Sequence, residues 1–303
     1  MVIRIVAGLF ALGIAIAAAV FGSHYFSSNH TRLTDVPSQV AAAVAPRLPS
    51  PPAHVVIVVE ENKEFKDIAG NTRSAPYLNE LIGRGALFTR SFGVAHPSQP
   101  NYLALFAGVT DSNGDHCPPA GIDTNARNLA TELRDAQRTF AGYSEDLPQA
   151  GSRACWAGQY GRKHVPWADF DNVAASENLP LTALPSDYDS LPTVSFIIPN
   201  LLDDMHSASI ARGDAWLRTH AGPIIDWARK HDTLVIVTWD ESDDTIGNHI
   251  PTIFVGPMVR PGRYDEPVTH YRVLRTIEDL YGLKHAGKSA DVPPIAGVWL
   301  RSQ

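Results

Sequence analysis

Val55-Val56-Ile57-Val58-Val59 is an unbroken run of β-branched residues, and Glu60-Glu61-Asn62 follow it at once. A strand with one wet face alternates apolar and polar residues. A strand covered on both faces does not, because each side chain meets a packed layer whichever way it points. The run therefore predicts an interior strand of a mostly parallel sheet. Val194-Ser195-Phe196-Ile197-Ile198 and Leu234-Val235-Ile236-Val237-Thr238-Trp239 repeat the signal, and residues 86–92, 139–143 and 252–255 carry shorter versions of it.

Helical patterns lie between these runs. Pro76–Arg84 has proline early and Gly85 after its end. Residues 129–137, 213–230 (interrupted near Pro223) and 271–281, stopped by Gly282, read the same way. Strands alternating with helices give an α/β class built from βαβ units. Residues 169–192 show little periodicity and read as loop. No 20–50-residue repeat is present, so the expectation is one folded domain over 54–303.

The 303 residues carry a net charge of −7, with 44% hydrophobic and 19% charged residues, an ordinary globular balance. No basic block marks a nucleic-acid binder. Residues 1–23 join one early positive charge to an apolar stretch and small residues, the pattern of a signal peptide or short membrane anchor. That predicts export to the cell envelope or beyond, with any membrane attachment made through this segment or a lipid substrate. Residues 24–53, rich in Pro, Ala and Ser, read as a linker. In an exported chain, two cysteines, Cys117 and Cys155, are most simply one disulfide.

The chemistry concentrates after the strand runs. Glu60, Glu61 and Asn62 follow the first; Asn200, Asp203, Asp204 and His206 follow the second; Asp240 and Glu241 follow the third. In open parallel sheets, ligands bind outside the carboxyl ends of the strands. So many carboxylates at one edge repel unless a cation sits among them, and a divalent ion with hard oxygen ligands answers this. Calcium or magnesium suits such ligands first, with manganese or zinc as alternatives. Glu61 with Asn62 and Asp240 with Glu241 form two adjacent-residue clamps.

Ser98, in His96-Pro97-Ser98-Gln99-Pro100-Asn101-Tyr102, stands at the start of a helical pattern. It reads either as an N-cap or as a nucleophile at a helix end that attracts anions. Beside a carboxylate-held cation the second reading gains: Ser98 attacks, Asn101 steadies the phosphoryl charge, and His206 protonates the leaving oxygen. His96 and His270 are further candidates; His164 and His249 rank below them.

These residues resemble a known group. Val58-Val59-Glu60-Glu61-Asn62, His96-Pro97-Ser98 through Asn101-Tyr102, Asp204-Met205-His206 and Thr238-Trp239-Asp240-Glu241 are similar to the bacterial phosphoesterase family of acid phosphatases and phospholipases C. The likeness is greatest to its SapM-type secreted acid phosphatases of mycobacteria. It extends to Glu145-Asp146-Leu147-Pro148, Lys163-His164-Val165-Pro166-Trp167 and His270-Tyr271, with both cysteines in step. The resemblance implies a three-layer α/β/α, alkaline-phosphatase-like fold and a phosphoserine intermediate on Ser98. By matching motif it gives Glu61, Asn62, Asp240, Glu241 and Ser98 as metal ligands. Asn101 and His206 fall where such enzymes hold the phosphoryl group. The expected activity is an exported, metal-dependent phosphomonoesterase for small phosphorylated molecules or lipid headgroups, phosphoinositides among them. A phospholipase C-type phosphodiesterase and a non-catalytic phosphate- or cation-binding envelope protein are the alternatives.

Overall fold

The computed structural model describes residues 48–110, 114–243 and 247–300. The expected export segment and linker residues 24–47 lie outside them. Among the described residues no helix is long and apolar enough to cross a membrane.

The main sheet has eight strands: β1 (His54–Glu60), β2 (Ala86–Phe88), β3 (Phe140–Ser144), β4 (Asn178–Pro180), β5 (Val194–Ile198), β6 (Thr233–Trp239), β7 (Thr252–Val255) and β8 (Gly262–Tyr264). Their spatial order is β8-β2-β7-β6-β1-β5-β3-β4. Only β7 runs against the rest; β1 pairs in parallel with β5 on one side and β6 on the other. The three strongest apolar runs are thus neighbours at the centre, where both faces need covering.

Alternation along β1 splits its side chains between two cores. Val55, Ile57 and Val59 join one cluster, with residues of helix α2 (Ser98–Ala107), helix α3 (Leu129–Asp135) and helix α6 (His270–Tyr281). Val56 and Val58 join the other, with residues of helix α1 (Pro76–Arg84), helix α4 (Ile210–Trp216) and helix α5 (Gly222–Ala228). The fold is therefore α/β/α in three layers, as the resemblance implied. Burying each large aliphatic side chain contributes about 1.5–3 kcal/mol. The central sheet supplies much of the rigidity the site needs.

Three local readings change. Residues 86–92 split: β2 joins the main sheet, and Ser91–Phe92 belongs to a separate three-stranded sheet. Residues 169–192 are not all loop, since β4 forms the sheet's edge and Asn178 accepts from the Trp167 indole N–H at 2.8 Å. Its three residues are too few to show a period. Helix 213–230 is interrupted by a π-helical segment, Leu217–Ala221, just before Pro223. Proline has no N–H to give the preceding turn, and the wider turn absorbs the missing bond.

Glu132 on α3 and Glu278 on α6 are buried face to face between their helices. Glu278 accepts from the Ala286 N–H at 2.8 Å and the Ser289 hydroxyl at 2.6 Å, whereas no donor reaches either oxygen of Glu132. Burial, then the charge of Glu278, push the Glu132 carboxyl up to about 9 despite Arg127. Folded protein keeps a proton that the unfolded chain releases above the ordinary carboxylate range. The stability this lends is complete below about pH 4 and is lost as pH rises toward 9. Glu132→Gln still donates to Glu278 and cannot ionise. It is expected to raise the melting temperature by about 2–4 °C at pH 8 and to change it little at pH 5, as read by thermal unfolding at both pH values.

Candidate active site

The parallel pairing of β5, β1 and β6 brings their following residues to one edge. The Glu61 N–H donates to the Asp204 carbonyl at 2.7 Å and the Asp240 N–H to the Glu60 carbonyl at 3.0 Å. Three post-strand loops are thereby stitched together by backbone alone. The Asn62 N–H then donates to Asp240 Oδ1 at 3.3 Å. Asn62 takes a left-handed φ of 47°, which asparagine tolerates better than most residues. Met205 takes φ 78° between Asp204 and His206. Its buried side chain fits because position 213 is glycine, where a Cβ would lie 2.4 Å from Met205 Cγ.

Glu60 and Glu61 part company. Side chains alternate along a strand, so Glu61 continues the face of Val59, toward α2, and Glu60 that of Val58. Both Glu60 carboxylate oxygens are buried without a hydrogen-bond partner. Burial, then the charge of Asp204, hold that carboxyl well above the ordinary range.

Ser98 is the first residue of α2 and does not cap it; the cap position is Pro97. The hydroxyl is directed to two carboxylates, Glu241 Oε1 at 3.0 Å and Glu61 Oε2 at 3.2 Å. Pro100 still falls in the first turn, where a missing N–H costs nothing. Glu241 is also held by the His96 Nδ1, and the Glu61 Oε1 by the Tyr102 hydroxyl. Burial, then the charges of Asp240 and Asp204, push the Glu61 carboxyl well above its usual range. Burial, then Glu241, do the same to Asp240. His270 Nε2 meets the Asp240 carbonyl at 2.6 Å, so this imidazole props the backbone behind the site. His249 stacks on Phe65 at 4.5 Å, with Nε2 3.0 Å from the Thr89 carbonyl, away from this chemistry.

The structure brings in residues that the sequence ranked low or gave no role. His164 is buried with Nε2 3.1 Å from Glu61 Oε1 and Nδ1 3.4 Å from Asp204 Oδ2. Its ring stacks on Tyr102 at 5.1 Å. Lys163 Nζ lies 2.7 Å from Asp115 Oδ2 and 3.4 Å from His206 Nε2. Burial opposes the Lys163 charge, but Asp115, with Glu61 and Asp240 beyond, outweighs it and raises its pKa. Asp115 Oδ1 accepts the Gln99 N–H at 2.9 Å. Gln99 exchanges two side-chain bonds with the His116 backbone, at 2.9 and 3.0 Å, next to the Cys117–Cys155 disulfide. Tyr102 had a readable signal: four residues after Ser98, it shares that face of the helix. Lys163 and His164 had only their motif, since their loop lies outside the βαβ pattern.

The donor set fits a divalent cation. Asn62 Oδ1 and Asp240 Oδ2 are buried without a hydrogen-bond partner; Asp204 Oδ2 and His164 Nε2 are buried too and, although 3.4 Å from His164 Nδ1 and 3.1 Å from Glu61 Oε1 respectively, make no aligned hydrogen bond. Glu61, His164 and His206 also present ligand atoms within 4.8 Å of one another. An all-oxygen set suits calcium or magnesium, while the two imidazoles add nitrogen donors that manganese and zinc also accept.

A family model described as the Phosphoesterase family matches residues 71–284. The phosphatidylinositol-3-phosphatase of Mycobacterium tuberculosis is 50% identical over 250 residues, 82% of this chain and 83% of that protein. The phosphate-repressible acid phosphatase of Penicillium chrysogenum is 29% identical over 89% of this chain and 71% of its own length. Among solved structures, an alkaline phosphatase superfamily protein from Vibrio parahaemolyticus aligns with TM-score 0.55 at 14% identity. It covers 83% of this chain and 72% of that one. A phosphonate monoester hydrolase from Silicibacter pomeroyi aligns with TM-score 0.54 at 14% identity, over 80% of this chain and 76% of its own. At such identities these two report the fold, which is alkaline-phosphatase-like.

Asn101, for which the resemblance implied a phosphoryl contact, is held by bonds within the chain. Its Oδ1 accepts from Val94 and Ala95 N–H at 2.8 and 3.1 Å, and its Nδ2 donates to the Ala95 and Pro97 carbonyls at 2.9 and 3.2 Å. With both ends of the amide committed, Asn101 holds the loop that delivers Ser98. Asn248 seconds it, donating to the same Ala95 carbonyl at 2.8 Å. Asn101→Ala strands these backbone groups, and is expected to cost about 1–3 kcal/mol. A thermal melt should fall by several degrees; a fall in activity with unchanged melting would instead mark direct contact with substrate.

Proposed function

The chain belongs to the Phosphoesterase family and is a hydrolase of phosphoric monoesters, and on that premise we propose that it is an exported, metal-dependent phosphatase working through a phosphoserine on Ser98. Phosphoinositide headgroups are the substrate class favoured by its likeness to the mycobacterial enzyme, with small phosphomonoesters beside them. The observation that carries this reading is the Ser98 hydroxyl, spent on Glu61 and Glu241 and not on capping its own helix.

A divalent cation held by Glu61, Asn62, Asp240, Glu241 and Ser98, with His164 and His206 close by, would lower the hydroxyl's pKa and offset phosphoryl charge. The protein does the rest. Glu61 and Glu241 accept from Ser98 Oγ and aim it; the hydroxyl proton passes to one of these carboxylates as Oγ bonds to phosphorus and the ester P–O bond breaks. The departing oxygen takes a proton, for which the half-buried His206 is the donor. The positive end of the α2 dipole lies at Ser98, where phosphoryl charge develops, although the Gln99 N–H is spent on Asp115. Water then attacks the phosphoserine, Ser98 recovers its proton, and inorganic phosphate leaves.

Three experiments bear on this. Ser98→Ala should lose at least about a thousandfold in p-nitrophenyl phosphate turnover while melting like wild type. Acid quenching of wild type with a ³²P-labelled monoester should leave label on Ser98; wild-type turnover by Ser98→Ala would refute the covalent route. Separately, Asp240→Asn should weaken divalent-ion binding about 10–100-fold, measured by calorimetry on metal-stripped protein.

A further inference from the structure

Lys163 is a cationic side chain beside this chemistry that the mechanism above leaves unused. Its side chain is only 12% exposed and bridges Asp115 and His206. The same Asp115 carboxylate holds the Gln99 N–H, the amide directly after Ser98. An arc of polar groups thus runs from the first turn of α2 through Asp115 and Lys163 to His206.

The arc is fixed from behind. Lys163 sits in the short 3-10 turn Arg162–His164, where Arg162 pairs with buried Asp169 at 3.0 Å. Asp169 in turn accepts from Gln99 Nε2 at 3.1 Å, tying the turn to the nucleophile's own helix. His164, the next residue, reaches Glu61. A donor held this way needs little reorganisation when charge appears in front of it.

The two ester classes differ where such a cation would act. A phosphomonoester has three non-bridging oxygens and carries up to two negative charges. A diester has two such oxygens, one charge, and an alkyl group in place of the third. The carboxylate-rich side of the site, at Glu61, Asp240 and Glu241, can hold an anion only with its cation. Lys163 and His206 lie 3.4 Å apart outside that carboxylate cluster. We propose that Lys163, positioned by Asp115, binds the third non-bridging oxygen and so makes this site selective for phosphomonoesters over diesters. The inference rests on the phosphatase reading and says which residue enforces it.

The test compares p-nitrophenyl phosphate with bis(p-nitrophenyl) phosphate, which share a leaving group. Lys163→Met should lower kcat/KM for the monoester about a hundredfold, the scale of losing one charged donor to a transition state. It should change the diester less than about threefold and weaken competitive inhibition by inorganic phosphate at least about tenfold. Lys163→Arg, which keeps the charge, should retain most of the monoester preference. Should Lys163→Met fail to fold, Lys163→Gln is read by the same ratio. Equal losses on both esters, or no loss on either, overturn the proposal, because a structural role alone would not split them. Wild-type protein hydrolysing neither ester would instead overturn the phosphatase reading itself.

Discussion

Buried negative charge gathered at one edge of a sheet is the constraint around which this molecule is arranged. Glu61, Asp204, Asp240 and Glu241 are all nearly or wholly buried. A carboxylate taken out of water without compensation costs several kcal/mol, and neighbours of like sign add to it. The chain meets part of that cost with its own donors: Tyr102 and Ser98 to Glu61, Ser98 and His96 to Glu241, and the Asn62 and His206 N–H groups to Asp240 and Asp204. What is left over, in Asp240 Oδ2, Asp204 Oδ2 and Asn62 Oδ1, is the shape of a cation site.

Holding that arrangement requires a stiff frame, and the three layers supply it. The parallel register of β5, β1 and β6 places the ends of all three strands side by side. Helix α2 begins where they end. Its entry loop is held by Asn101 and Asn248, and Gly93 leaves room for the Asn248 amide, which would lie 2.5 Å from a Cβ there. On the far side, Gln99 and the Cys117–Cys155 disulfide hold the loop that carries Asp115. Ser98 is thus held on several sides by groups outside the proposed chemistry.

The histidines divide along the same line. His270 and His249 are spent on backbone carbonyls, and burial lowers the His270 pKa to about 4, so it stays a neutral prop. His96 orients Glu241. Among the described residues, His164 and His206 are the histidines that present nitrogens beside Glu61 in one cluster. Their spacing in sequence, 42 positions apart in two unrelated loops, gives no local hint of this meeting.

The sequence by itself determined the α/β class, the central strands and the edge where the chemistry gathers. Strand burial is a local property, and unbroken β-branched runs ending in acids state it directly. The motifs around Glu61, Ser98, His206 and Asp240 also sufficed to identify the family. Only the tertiary structure decided that Ser98 serves two carboxylates and does not cap its helix, and that Asn101 holds a loop. It likewise decided that Glu60 turns away from Glu61, and that Lys163, His164 and Asp115 belong to the site. Each of these depends on which long-range neighbour wins a side chain's hydrogen bonds, and that competition is settled by packing across tens of residues. No periodicity along the chain records it.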